Sequence, residues 1–245
     1  TCTQETAGGF IIRGEDELDE VEFGLREYAK SLQNALGREI EFKITKSQKE
    51  NKDWLNEYKK NVRPIEIGKF YIHPSWEESK DGLENIIIDP ALAFGSGHHE
   101  STSACIEYLQ KYASSGMSAL DVGCGSGILS IALAKLGCVA DACDTDEQAV
   151  SATQQNAEKN GVQIDQIWLG SVSSLGEQSS SAAAQPQFDL VVANIIADVI
   201  LILSADLKKA LKLGGRLVLS GILEKYKDMI EQAFSDLSFI CMKQE

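Results

Sequence analysis

The chain has 245 residues, 43% of them hydrophobic, enough for one large domain or for a large domain with a small partner. Its net charge is −14 and its sequence pI about 4.7, a field that repels phosphates and argues against direct nucleic-acid binding. No run of eighteen apolar residues occurs and the opening "TCTQETAGGF" lacks the basic and apolar parts of a signal peptide, so neither a membrane span nor a secretory leader is expected.

The charge is uneven. Residues 1–60 hold ten Lys/Arg against thirteen Asp/Glu, and residues 61–245 hold thirteen against twenty-four. A basic partner would be drawn to the second part, although an acidic surface also serves solubility. Six scattered cysteines, none in a Cys-x-x-Cys pair, fit a reducing cytoplasm.

In chain order, Gly9 to Arg13 reads as a strand after a Gly-Gly turn. Residues 15–36 read as a helix, with Leu18, Val21, Leu25, Tyr28, Ala29 and Leu32 at three- and four-residue spacing. "EIEFKITK" alternates Ile40, Phe42 and Ile44 with charges, the pattern of a half-buried strand. These pieces predict a small and incomplete α/β domain over 1–46. The polar stretch over 47–63 reads as a linker helix, and 64–245 as the main domain.

"RPIEIGKFYIHPSW" and "NIIIDP" predict short strands. From residue 101 the alternation is regular: helix 101–112, strand 118–122, helix 127–136, strand 139–144, helix 146–159 and strand 166–171. Strand 188–194, helix 198–211, strand 215–220 and helix 224–234 follow. Strands such as "FDLVVANI" are near-continuous apolar runs, as in a parallel sheet covered by helices on both faces, a doubly wound α/β fold. "GEQSSSAAAQPQ", at 176–187, has no periodicity and reads as a surface loop.

The chemistry concentrates in "LDVGCGSGILSIALAKLG". Asp121 ends a strand, Gly123, Gly125 and Gly127 follow, and a helix begins. Gly123 permits a tight turn, and Gly125 lets a ligand approach bare backbone. Amide N–H groups at the helix start are expected to face an anionic group. A dinucleotide fingerprint would want Gly or Ala at position 128, which is Ile128. Asp144 ends the next strand, where a carboxylate accepts from both ribose hydroxyls. Strand, Asp-x-Gly-x-Gly-x-Gly, helix, strand and terminal Asp together favour S-adenosylmethionine over a nicotinamide cofactor or purely structural glycines.

Asn194 ends the strand "FDLVVAN", on the rim where open α/β sheets bind ligands. Three roles fit it: positioning an acceptor amine, holding the cofactor, or capping the helix near Asp198. Ser171 falls where an adenine would lie. The loop "FGSGHHESTS" carries His98, His99 and Glu100 in succession. Consecutive side chains diverge, and the only other histidine is His73, so no metal site is expected.

Taken together, "IDPALAFGSGHHEST", "LDVGCGSGILSIALAKLG", "CDTDEQAV", "NAEKNGV", "FDLVVANIIA" and "LSGIL" resemble, in order and over about residues 50–235, one bacterial family: the methyltransferases of ribosomal protein eleven of the large subunit, the PrmA type. The resemblance implies a Rossmann-like methyltransferase sheet preceded by a small substrate-recognition domain and a linker. It implies S-adenosyl-L-methionine as cofactor, and a ribosomal protein as partner, methylated on lysine side chains and its N-terminal amine. By the same resemblance Thr102 contacts the cofactor, and Phe94 to His99 line the mouth of the site. The family's usual loop is Phe-Gly-Thr-Gly-Thr-His-Pro-Thr-Thr; Ser96, His98, Glu100 and Ser101 depart from it, while Phe94, Gly95, Gly97, His99 and Thr102 match. Methylation of another protein or small amine, or cofactor binding without catalysis, are the alternatives. A separate recognition domain favours a protein substrate.

Overall fold

The computed structural model describes the backbone of two strands near the start, single positions at 22, 25, 26 and 33, residues 43–45, and then residues 63–89, 100–175 and 187–238. The chain divides into two compact units, Thr1–Lys59 and Lys60–Glu245.

In the first unit, β1 (Cys2–Thr6) and β2 (Gly9–Arg13) pair antiparallel, from Cys2↔Arg13 to Thr6↔Gly9. The strand expected at Gly9 to Arg13 is present, and its partner β1 is one the periodicity did not reveal, since "CTQET" carries no apolar alternation. Glu22, Leu25, Arg26 and Gln33 are helical, inside the predicted 15–36 helix, and Arg26 donates to Glu22 Oε1 one turn earlier at 2.8 Å. Ile44 is half-buried between exposed Lys43 and Thr45, yet 43–45 is not in a strand, contrary to the expectation for "EIEFKITK". Its alternating burial is present there without a ladder of backbone hydrogen bonds. The proposed linker helix over 47–63 and the loop over 176–187 lie almost wholly outside the described residues.

The second unit begins with a three-stranded sheet. β3 (Ile65–Ile67) pairs antiparallel with β4 (Phe70–His73), which pairs parallel with β5 (Glu84–Ile87). Its Phe70, Ile72 and Ile86 are buried in one core with Ile106 and Leu109 of α1 (Glu100–Tyr112).

The main sheet has five strands: β6 (Ser118–Val122), β7 (Val139–Asp144), β8 (Gln166–Leu169), β9 (Phe188–Asn194) and β10 (Leu211–Ser220), in the order β10-β9-β6-β7-β8. Every pairing is parallel. The crossovers are α2 (Ile128–Lys135), α3 (Glu147–Lys159), and the pair α4 (Ala197–Ile202) and α5 (Ser204–Lys209); α6 (Lys227–Ala233) follows β10. The apolar runs that predicted two-sided burial deliver it. Along β9, Leu190 and Val192 enter one core with Ile131 and Leu133 of α2, and Phe188, Val191 and Ala193 enter another with Ile200, Leu207 and Phe234.

Three predicted boundaries shift for local reasons. Strand 166–171 stops at Leu169, because Gly170 turns at φ 145° and donates its N–H to Asp144 O at 2.7 Å. Helix 198–211 is two helices broken at Leu203 (φ −86°, ψ 1°); the second has its own dipole-matched ends, Asp206 in the first turn and Lys208 and Lys209 in the last. β10 reaches back from 215 to Leu211 through an irregularity in register, with Gly214 at φ 79°. Four cysteines, Cys105, Cys124, Cys138 and Cys143, are buried free thiols.

At the end of the sheet away from the glycine turn, Asp189 Oδ2 accepts from Lys212 Nζ (2.9 Å), Ser118 N (2.9 Å) and Ser118 Oγ (2.9 Å), tying β6, β9 and β10 together. The Lys212 and Ser118 donors hold its carboxyl down to about 2. A depressed carboxylate adds stability above the unfolded value and loses it as pH falls through the folded one. Asp189→Asn is therefore expected to lower the melting temperature at pH 7 by about 2–4 °C, as for one lost hydrogen bond of about 1 kcal/mol. The gap should close near pH 2 in a pH series of thermal melts.

Candidate active site

The strand order reverses between β6 and β9. The chain runs β6, β7, β8 outward on one side, then returns to lay β9 on the other side of β6. A crevice opens at the carboxyl ends of strands at such a switch point. Three of the sequence-predicted residues stand at or just past those ends: Gly123 after β6, Asp144 closing β7 and Asn194 closing β9.

Gly123 turns at φ 77°, and a Cβ there would lie 2.3 Å from Ile195 Cγ2, the residue after Asn194. Only glycine allows that turn and that approach together. Gly127 (φ 79°) meets Thr153 of α3 in the same way, with Thr153 Cα 3.0 Å from a built Cβ. Gly125 has φ 55° and donates its N–H to Asp144 Oδ2 at 2.9 Å.

The amides of the glycine turn itself, ahead of the helix start, are paired within the protein. Gly123 N and Cys124 N both donate to Cys143 O (2.8 and 3.0 Å), Gly125 N to Asp144, and Gly127 N to Cys124 O (2.8 Å). The turn satisfies these donors internally, because the end of β7 comes close enough to accept them. A pyrophosphate needs such amides free; an uncharged sugar edge beside a carboxylate does not.

Asp144 is half-buried and held from two sides, by Gly125 N on Oδ2 and by Asp146 N on Oδ1 (3.0 Å). Each oxygen keeps a second lone pair for a hydroxyl donor. Asp121 carries more than its place in the motif suggested. It is 1% exposed at the end of β6; Ser130 of α2 donates to its Oδ2 at 2.6 Å, while its Oδ1 is buried without a hydrogen-bond partner. Burial pushes its carboxyl up to about 6, against the pull of the Ser130 hydrogen bond. An acid at the end of an otherwise apolar strand was the available signal in the sequence.

Across the crevice, Asn194 Nδ2 donates to Thr102 Oγ1 at 3.1 Å. Thr102 is buried in the first turn of α1, and Ser220 Oγ donates to Ser101 O (3.2 Å), seating that turn on the end of β10. One of the two N–H groups of the Asn194 amide is thus engaged, and its Oδ1 remains for a donor from outside. A Cβ at Gly221 would stand 3.5 Å from that oxygen. Asn194 does not cap α4: the residue before that helix is Ile196. Ser171 follows β8 beside Gly170, with Trp168 Nε1 donating to its carbonyl at 3.3 Å. Phe94 and His99 lie outside the described residues. Among the described residues, no three His, Cys, Asp or Glu side chains group as metal ligands.

An all-parallel sheet of this order, with a glycine turn, a carboxylate and an amide around its switch point, defines a doubly wound domain of the methyltransferase kind. A solved ribosomal protein L11 methylase from Lactobacillus delbrueckii subsp. bulgaricus superposes with a TM-score of 0.62 at 32% identity, over 71% of this chain and 87% of that one. A precorrin 8w decarboxylase from Methanobacterium thermoautotrophicum, 22% identical with a TM-score of 0.51, shares the fold, over 62% of this chain and 78% of that one. The family described as ribosomal protein L11 methyltransferase (PrmA) matches residues 15–245. A protein of that name from Campylobacter concisus is 57% identical over 244 residues, 100% of this chain and 85% of that protein. Another from a Nitratiruptor species is 50% identical over 242 residues, 99% of this chain and 83% of that protein. The chain belongs to the ribosomal protein L11 methyltransferase family.

Asp121 makes stability depend on pH. Its folded value lies above its unfolded value of 3.8, so the fold is most stable below the unfolded value. About 3 kcal/mol is lost as pH rises through about 6, at about 1.36 kcal/mol per unit. Asp121→Asn removes that titration. Between pH 4 and pH 7 the melting temperature of the variant should rise relative to the native protein; parallel curves would show that Asp121 does not titrate in this window.

Proposed function

We infer that this protein transfers methyl groups from S-adenosylmethionine to amines of ribosomal protein L11, on lysine side chains and the N-terminal amine. The observation that carries the reading is the Asn194–Thr102 hydrogen bond, which leaves Asn194 Oδ1 as a free acceptor at the crevice between β6 and β9. The names of the relatives supply the substrate. A ribosomal substrate puts the reaction in the cytoplasm, and among the described residues no helix is long and apolar enough to cross a membrane. Residues 1–46 carry substrate recognition, 47–63 link, and 64–245 bind the cofactor and catalyse.

The residues present fit the cofactor. Asp144 would take the ribose hydroxyls, Gly123 and Gly125 leave backbone bare beside it, and the unpaired Asp121 Oδ1 lacks the donor that an amino-acid ammonium brings. When bound, S-adenosylmethionine supplies an electrophilic methyl group on a sulfonium. The chain's own task is to hold an amine in line with that carbon, an effect of positioning worth up to about 7–11 kcal/mol. Asn194 Oδ1 accepts from the amine and aims its lone pair, and the Thr102 hydroxyl anchors the amide. A lysine of pKa about 10.4 is about 3.4 units from neutral at pH 7, roughly 4.6 kcal/mol. Desolvation beside apolar side chains lowers that barrier. An α-amine near 7.7–8.0 has less to lose.

The primary test is incubation with a labelled methyl donor and L11. Label in L11, assigned by mass spectrometry to lysine or the α-amine, is expected; none in L11 would overturn the reading. Asp144→Ala should weaken cofactor binding by about 1.5–3 kcal/mol in calorimetry. Unchanged affinity would move the ribose elsewhere.

Asn194→Ala should lower kcat at saturating cofactor roughly 5- to 150-fold, for a transition-state hydrogen bond of about 1–3 kcal/mol, with a smaller loss of cofactor affinity. Thr102→Val should lower kcat in the same direction by freeing the amide. A defect confined to the thermal melt would remove Asn194 from the chemistry.

A further inference from the structure

Two adjacent strand exits break the same rule of helix starts. The residue before a helical turn is usually Ser, Thr, Asp or Asn, whose oxygen accepts an unpaired backbone N–H. Here α4 starts after Ile196, and the single turn Glu224–Tyr226 starts after Leu223. Both residues are extended (φ −65°, ψ 144° and φ −72°, ψ 147°), and neither side chain caps. Neither is buried: Ile196 is 65% exposed and Leu223 is 63% exposed. Each position gives up a cap and leaves a large apolar side chain in water. One such residue would be ordinary; two at matched places on neighbouring strands form a surface feature.

The contacts around them hold the two exits side by side. Ser220 pairs with Asn194 at the last rung of the β9–β10 ladder. A Cβ on Gly221 would lie 2.9 Å from Ile195 O, and Tyr226 Oη is 3.4 Å from Asp198 Oδ2, to which it donates. Ile196 and Leu223 sit between these fastenings, each two residues past a residue beside the amide of the site: Asn194 itself, and Gly221. Asp198 and Glu224 follow them, both exposed, while Lys225 lies back over the ring of Tyr226 at 4.8 Å. The residues from 61 onward carry thirteen Lys/Arg against twenty-four Asp/Glu, a field that draws cations.

We propose that Ile196 and Leu223 are the docking lips for the basic, acceptor-bearing segment of the protein substrate. The aliphatic stem of the lysine and its apolar neighbours lie on the two side chains, Asp198 and Glu224 face the positive charges of the segment, and the amine reaches Asn194. Apolar lips also strip water from the lysine stem, which favours the neutral amine. This inference rests on the methyltransferase reading above and names the part of the surface that receives the substrate.

Ile196→Ser and Leu223→Ser separate docking from architecture, because serine is the better cap. The melting temperature of each variant should hold or rise, and calorimetric cofactor affinity should stay within about twofold. KM for L11 should rise roughly tenfold or more, as expected for losing burial of a large aliphatic side chain. L11 binding measured by calorimetry without methyl donor should weaken by the same factor. Unchanged KM and unchanged binding of L11 in both variants would overturn the proposal. A native protein that sediments as a dimer, with serine variants that become monomers of normal KM, would overturn it too and assign the lips to a second copy. L11 that binds the native protein at these lips without being methylated would sink the proposed reaction and leave the docking surface standing.

Discussion

The site depends on the parallel pairing of β6 with β9. It joins Ala119 to Leu190 and Val122 to Ala193, and so sets two strand ends, distant in sequence, next to each other. The turn at Gly123 and the turn at Ile195 then meet so closely that no side chain fits at Gly123. Everything that gives the crevice its chemistry hangs from this contact: Asp121 below the turn, Asp144 one strand over, and Asn194 on the far wall. The apolar faces of β9 hold the pairing from both sides, with Leu190 and Val192 in one core and Val191 and Ala193 in the other.

The electrostatics of the crevice favour a cation. Four of the loop's amide donors are already paired within the protein, Asp144 stands half-buried beside them, and Asp121 lies buried beneath the turn with one unpaired oxygen. A cradle for phosphate would be built the other way round, with free N–H groups and no buried acid. S-adenosylmethionine, the methyl donor that the family implies, carries a sulfonium and an ammonium beside its carboxylate.

Local anchors position the site more than catalytic groups do. Thr102 holds one end of the Asn194 amide, and Ser220 holds the helix turn that carries Thr102. At the other end of the sheet, Asp189 ties Ser118 and Lys212. β6, β9 and β10 are fastened at the end away from the glycine turn, and β9 and β10 again at the other end through Thr102 and Ser220. For a methyl transfer, whose main requirement is alignment of acceptor and methyl carbon, that rigidity is the relevant property.

The sequence by itself determined the elements of the main sheet. β6, β7 and β9 fall where their largely apolar runs predicted, because a strand buried on both faces carries few polar residues. It also determined the turn at Gly123 and the places of Asp144 and Asn194 at strand ends, since glycine spacing and strand length are local quantities. β1 escaped because a polar hairpin strand has no alternation to read. The break at Leu203 and the stop at Leu169 escaped because backbone partners decided them. Only the tertiary structure decided what the site residues do to one another. The pairing of loop amides with Cys143 and Asp144, the orphaned oxygen of Asp121, and the Thr102–Asn194 bond across 92 residues all follow from strand order. Spacing along a chain encodes periodicity and turns, but which strand lies beside which is settled by how the two cores close around the sheet.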